Sequence, residues 1–74
     1  MDVNVKLFGD LREGRFEQEM TQLEENSRVI DVIKKHDLPL DKVALCLVNS
    51  HNVEFGHVLQ NGDTVAFSPP VGGM

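Results

Sequence analysis

The chain has 74 residues, and 12 acidic against 7 basic side chains leave it a net charge of −5. That balance offers no basic patch to neutralise phosphates, which excludes nucleic acid and anionic membrane as natural partners and favours a basic protein surface. The length allows one domain, and 41% hydrophobic residues supply a single core and argue against a disordered chain.

Val3, Val5 and Leu7 alternate with Asn4 and Lys6, and Gly9-Asp10 follows as a breaker, so residues 3–8 are predicted as a strand. Residues 15–23 carry two patterns. Phe16, Met20 and Leu23 fit a helical face, whereas Phe16, Gln18, Met20 and Gln22 fit one face of a strand. An amino-terminal strand needs a neighbour, and the loop-like stretch 10–14 feeds a returning segment, so a strand is predicted. Ser27 is the expected cap of a helix that places Val29, Ile30 and Ile33 on one face and Asp31, Lys34 and Lys35 in water. Pro39 disfavours helical geometry at Leu38, so the helix should stop near Asp37.

Residues 43–48 are apolar on both faces, as in a strand covered on both sides or paired at both edges of a small sheet. A turn is predicted at 49–52, a short strand at 53–55 and a kink at Gly56. Asn61-Gly62-Asp63 signals another turn, Thr64 to Phe67 a last strand, and Ser68-Pro69-Pro70 ends the sheet because proline donates no ladder hydrogen bond. The expected order is β, β, α, β, short β, β.

Residues that could carry chemistry are sparse. His36, His51, His57 and Cys46 have no metal-ligand spacing, so no metal site is expected, and Cys46 lies in the apolar run 43–48 as an inert thiol. Asp31, Asp37, Asp41, Glu24 and Glu25 fall on a helix face, at a helix end and in turns, where solvated charge is the default. No basic leader precedes an apolar stretch and no apolar run reaches spanning length, so the expected location is the cytoplasm, away from membranes.

The end of the chain, Pro69-Pro70-Val71-Gly72-Gly73-Met74, is different. Two prolines stiffen the exit from the last strand, and four further residues reach about 13 Å at roughly 3.3 Å each. A glycine pair there can thread a channel too narrow for any Cβ. Such a device delivers a carboxyl group into another protein's active site. A domain at 1–70 and a flexible tail at 71–74 are expected.

The stretch from Asn61 to Val71 followed by glycines, together with Val3 to Gly9, Leu11-Arg12 and Val48-Asn49, resembles the MoaD/ThiS sulfur-carrier family, in its molybdopterin synthase small-subunit branch. The resemblance implies an α+β, ubiquitin-like β-grasp fold, a mixed sheet packed around one main helix. It also implies a carrier without catalytic residues or a permanently bound cofactor. An activating enzyme spends ATP to adenylate the terminal glycine, sulfur is installed as a thiocarboxylate, and the tail enters the large synthase subunit. The family docks through an apolar sheet face beside the tail, for which Phe8, Phe67, Pro69, Pro70 and Val71 are the candidates here. Alternatives sharing the fold are a carrier for thiamine thiazole or another sulfur metabolite, and a ubiquitin-like interaction module or protein modifier.

The family's active form ends on Gly-Gly, whereas Met74 follows Gly72-Gly73 here. With the glycines matched, Met74 is an extension for a C-terminal peptidase to remove, and Gly73 carries the reactive carboxylate. With tail length matched instead, Met74 takes the terminal glycine position and transfer fails.

Overall fold

The computed structural model describes residues 1–70. Five strands form one sheet in the order β2-β1-β5-β3-β4, with β1 at Asp2–Leu7, β2 at Gln18–Gln22, β3 at Leu45–Val48, β4 at His51–Asn52 and β5 at Thr64–Ser68. The single helix α1 spans Val29–Lys35. The sheet is mixed, because β1 and β5 run parallel while β1–β2, β5–β3 and β3–β4 are antiparallel.

Alternation along β1 does what period two requires. Val3, Val5 and Leu7 are buried, and they meet Val65 and Phe67 of β5, Cys46 and Val48 of β3, and Val29, Val32 and Ile33 of α1 in one core. Burial of Val32, with Ile30 only partly covered, shifts the helix face from the one expected. Residues 18–22 form a strand, as the hairpin argument anticipated, yet only Thr21 is buried and Met20 is 64% exposed. A sheet-edge position explains the ambiguous pattern: one flank of β2 has no neighbour to enforce alternation. Between β1 and β2 the predicted loop contains a 3-10 turn, Gly9–Arg12, which buries Leu11.

The helix starts one residue later than expected of a Ser27 cap. Arg28 is the capping residue, its backbone N–H donates to the Asp31 carboxylate at 2.8 Å, and Ser27 Oγ turns back to the Glu24 carbonyl at 2.7 Å. The free amides of Val29 and Ile30 are satisfied from elsewhere, donating to the carbonyls of His57 and Phe55 at 3.0 and 2.9 Å. This also corrects the short strand predicted at 53–55. The Phe55 carbonyl serves the helix start, so that segment is a loop. The ladder instead continues through β4, after a turn in which Asn49 and Ser50 take positive φ of 51° and 71°.

At its other end the helix closes as a Schellman motif. The Leu38 N–H donates to Ile33 C=O at 3.0 Å and the Asp37 N–H to Lys34 C=O at 3.1 Å. Asp37 sits at φ 53°, where a Cβ is strained. Asp37→Gly is therefore expected to stabilise by about 0.5–1 kcal/mol net, relief of strain less the extra chain entropy of glycine. Thermal melting should show a rise of roughly 4–8 °C per kcal/mol at this size.

Strand β3 is covered on one face only. Cys46 and Val48 point into the core, whereas Leu45 is 36% exposed and Leu47 half-buried on the face opposite the helix. Its apolar outer residues are thus available for something outside the domain.

Candidate functional site

The root of the carboxyl-terminal segment is fixed from two sides. The Phe8 N–H donates to Phe67 C=O at 3.1 Å and the Ala44 N–H to Ser68 C=O at 2.9 Å, so β5 is clamped between β1 and β3 up to its last residue. Ser68 Oγ then donates to Pro69 C=O at 3.3 Å. Gly9 adopts φ +58°, and a Cβ placed there would stand 2.8 Å from Cγ of Pro69. Pro69 therefore packs against a glycine that nothing larger can replace without movement.

Beside this exit lies the open face of the sheet. The register places Lys6 opposite Ala66 and Ala66 opposite Leu47, with Leu45 opposite Ser68. Phe8, 46% exposed, completes an apolar patch around a shallow depression lined by Lys6, Phe8, Leu47 and Ala66, with Asn49, Ser50 and Thr64 at its rim. Of the expected docking residues, Phe8 is exposed, Pro69 half-buried and Pro70 exposed at the chain exit. Phe67 is a correction: its side chain is fully buried because it shares parity with Val65 and pairs with Leu7 on the core face. Val71, Gly72, Gly73 and Met74 lie outside the described residues. Sequence reasoning missed Leu45, Leu47 and Ala66. Their signal was the same two-residue alternation that puts Phe67 and Cys46 inside.

The rim is held by side-chain bonds. Asn49 Oδ1 accepts the Thr64 N–H at 3.0 Å, its amide donates to Asp63 at 2.9 Å, and the other Asp63 oxygen accepts the Gln60 N–H at 2.8 Å. This network ties the β3–β4 turn to the start of β5.

Reactive groups elsewhere are muted. Burial pushes the Cys46 thiol up to about 11, so at neutral pH it is a protonated, poor nucleophile. Among the described residues, no three His, Cys, Asp or Glu side chains gather as metal ligands, and no helix is long and apolar enough to cross a membrane.

A model of the ThiS family matches residues 5–73. The chain belongs to the ThiS family. These are ubiquitin-like sulfur carriers, and the β-grasp architecture described above agrees with that membership. Among solved structures, a Pyrococcus furiosus protein provisionally described as molybdopterin converting factor, subunit 1, is 29% identical with TM-score 0.79, over 96% of this chain and 99% of that one. SAMP1 from Haloferax volcanii is 24% identical with TM-score 0.77, each chain covered in full. The complex of subunits 1 and 2 of molybdopterin-converting factor from Helicobacter pylori matches at 22% identity and TM-score 0.68, again over the whole of both chains. None of the curated proteins matches at a significant level. For this ThiS-family chain the family match runs through Gly72 and Gly73 and stops before Met74.

His36, at the far end of α1, is coupled to β2. Its Nε2 shares a 2.8 Å hydrogen bond with Thr21 Oγ1, and Phe16 packs edge-on to the ring at 4.8 Å. Burial lowers its pKa below 6.5; Glu19 opposes that shift and Lys35 adds to it. The unfolded state therefore binds the proton more readily. The stabilisation is fully present above about pH 6.5 and is lost as pH falls through the lower folded-state value. In thermal melts from pH 7.5 downward, the stability difference between the parent chain and His36→Gln should shrink below pH 6.5. A difference constant across that range would contradict this assignment.

Proposed function

We propose that this chain is a sulfur carrier for molybdopterin biosynthesis, acting through Gly73 after a C-terminal peptidase removes Met74. The single observation carrying this reading is the extent of the family match, which includes both glycines and omits Met74. The intact Gly72-Gly73 pair favours matching the glycines over matching tail length. The resemblance to molybdopterin converting factor, subunit 1, from P. furiosus supports the molybdopterin branch.

The chemistry follows from the electrophile. A carboxylate resists nucleophilic attack, so the Gly73 carboxylate oxygen attacks the α-phosphorus of ATP on an activating enzyme, and pyrophosphate leaves. A sulfide-level donor then adds to the acyl carbon of the adenylate and displaces AMP, leaving a thiocarboxylate. Ordering each tail residue in a partner's channel costs about 1–2 kcal/mol, and burial of the open-face patch around Phe8, Ala66 and Leu47 offsets it. The domain serves as the handle, and a large synthase subunit, of the kind complexed in H. pylori, is the acceptor.

A chain ending at Gly73, incubated with ATP, a sulfur donor and the activating enzyme of its own organism, should gain the mass of one oxygen-for-sulfur exchange. The full chain ending at Met74 should not. Conversion of neither would overturn the reading. A second reading, protein modifier, is favoured by likeness to the small archaeal modifier protein 1 of H. volcanii, with TM-score 0.76 and 24% identity. Adducts joined through Gly73 to lysine side chains would support it.

A further inference from the structure

We infer that the protein surface docking on the open sheet face presents a carboxylate to Lys6 from within an apolar patch. This rests on the carrier reading above and adds the partner's charge.

Lys6 projects on the outer face of β1, flanked in register by Gln18 and Ala66. It lines the same depression as Phe8, Leu47 and Ala66. Among the described residues its ammonium has no acidic partner: the one ion pair there joins Arg12 and Glu17, at 3.4 Å. The other charged residue on the outer face of β1 is Asp2, four residues away, about 13 Å at 3.3 Å per residue. Glu17 and Glu19 pair with Leu7 and Val5 and so belong to the opposite side of β2.

A partner that covers Phe8, Ala66 and Leu47 must therefore also cover, or closely rim, an unpaired cation. Desolvating it without a counter-charge is costly, and a carboxylate placed within the patch removes that cost and fixes the docking register. The net charge of −5 points to a basic partner, but at this face the local charge is opposite. Specificity follows: an apolar surface lacking the carboxylate is rejected even where its shape fits.

The test uses the full chain and a chain ending at Gly73, with Lys6→Met and Lys6→Glu in each. Binding to the activating enzyme and to the synthase large subunit of the same organism is measured by calorimetry at low and high salt. Lys34→Glu, on the exposed side of α1, is the control. For whichever partner takes this face, affinity should fall in the order parent, Lys6→Met, Lys6→Glu. The loss for Lys6→Glu should be roughly 30-fold or more, as expected when like charges are juxtaposed across an interface. Lys34→Glu should bind as the parent does. Carbodiimide treatment of the complex should join Lys6 to a partner Asp or Glu. Parent-like binding by Lys6→Glu to both proteins, with thiocarboxylate still formed, would overturn the inference alone. Failure of the parent chains to bind either protein would overturn it together with the carrier reading.

Discussion

Phe67→Ala is expected to lower the unfolding free energy by about 3–5 kcal/mol, the usual cost of deleting a buried aromatic. Phe67 is the largest fully buried side chain, in register with Leu7 on one side and Cys46 on the other. A domain of this length holds roughly 4–11 kcal/mol in total, at about 0.05–0.15 kcal/mol per residue, so the variant should be partly unfolded at physiological temperature. Urea titration checks this. The midpoint should fall sharply, with the slope preserved if the native state keeps its compactness. Phe8→Ala, by contrast, removes an exposed ring one strand away and should leave the midpoint within about 0.5 kcal/mol of the parent. The pair of results separates the core aromatic from the surface one, which sequence reasoning had grouped together.

Gly9→Ala is the second large effect, and it has two separable parts. The left-handed backbone at φ +58° costs an L-residue about 1–2 kcal/mol. Forcing a methyl to within 2.8 Å of Pro69 Cγ adds an overpacking term of about 1–3 kcal/mol. Pro69→Ala deletes the atom that is struck, so the double variant Gly9→Ala/Pro69→Ala should recover the second part and leave the first. Gly9→Asn, tolerated better in this backbone region, should retain the steric part. Denaturant unfolding of the four chains closes the cycle. A coupling near zero would mean that Pro69 yields freely and that Gly9 is needed only for its φ. A large coupling would mean that the exit of the carboxyl-terminal segment is held by the turn after β1.

Much of this arrangement was legible in the residues. Val3, Val5 and Leu7 announced β1, Asn61-Gly62-Asp63 announced the turn before β5, and Pro39 marked the helix end. These are local signals with local causes. The strand parity of β5 is equally local: it puts Phe67 with Val65 on the core face, whereas the resemblance to the family suggests Phe67 only as a neighbour of the tail. What stayed hidden depends on distant parts of the chain. Nothing near Arg28 foretells that carbonyls at Phe55 and His57 will serve the helix amides, and therefore Ser27 looked like the cap and 53–55 like a strand. Likewise Leu11 is buried only because the 3-10 turn after β1 folds over the sheet end. At the candidate site, the apolar run 43–48 fits a strand covered on both sides or one paired at both edges, and β3 is the second, lying between β5 and β4. With a single helix and one face left bare, the same sequence marks a surface for something else.

The parallel pairing of β1 with β5 places the two strands most separated in sequence side by side at the centre of the sheet. A growing chain that has emerged only as far as β4 can form the β1–β2 and β3–β4 hairpins, but the halves have nothing to join them until residues 64–68 arrive. Such long-range closure is slow compared with local hairpin formation. Completion of the fold is thereby tied to the arrival of β5, and a chain cut short before residue 64 should keep its two hairpins unjoined.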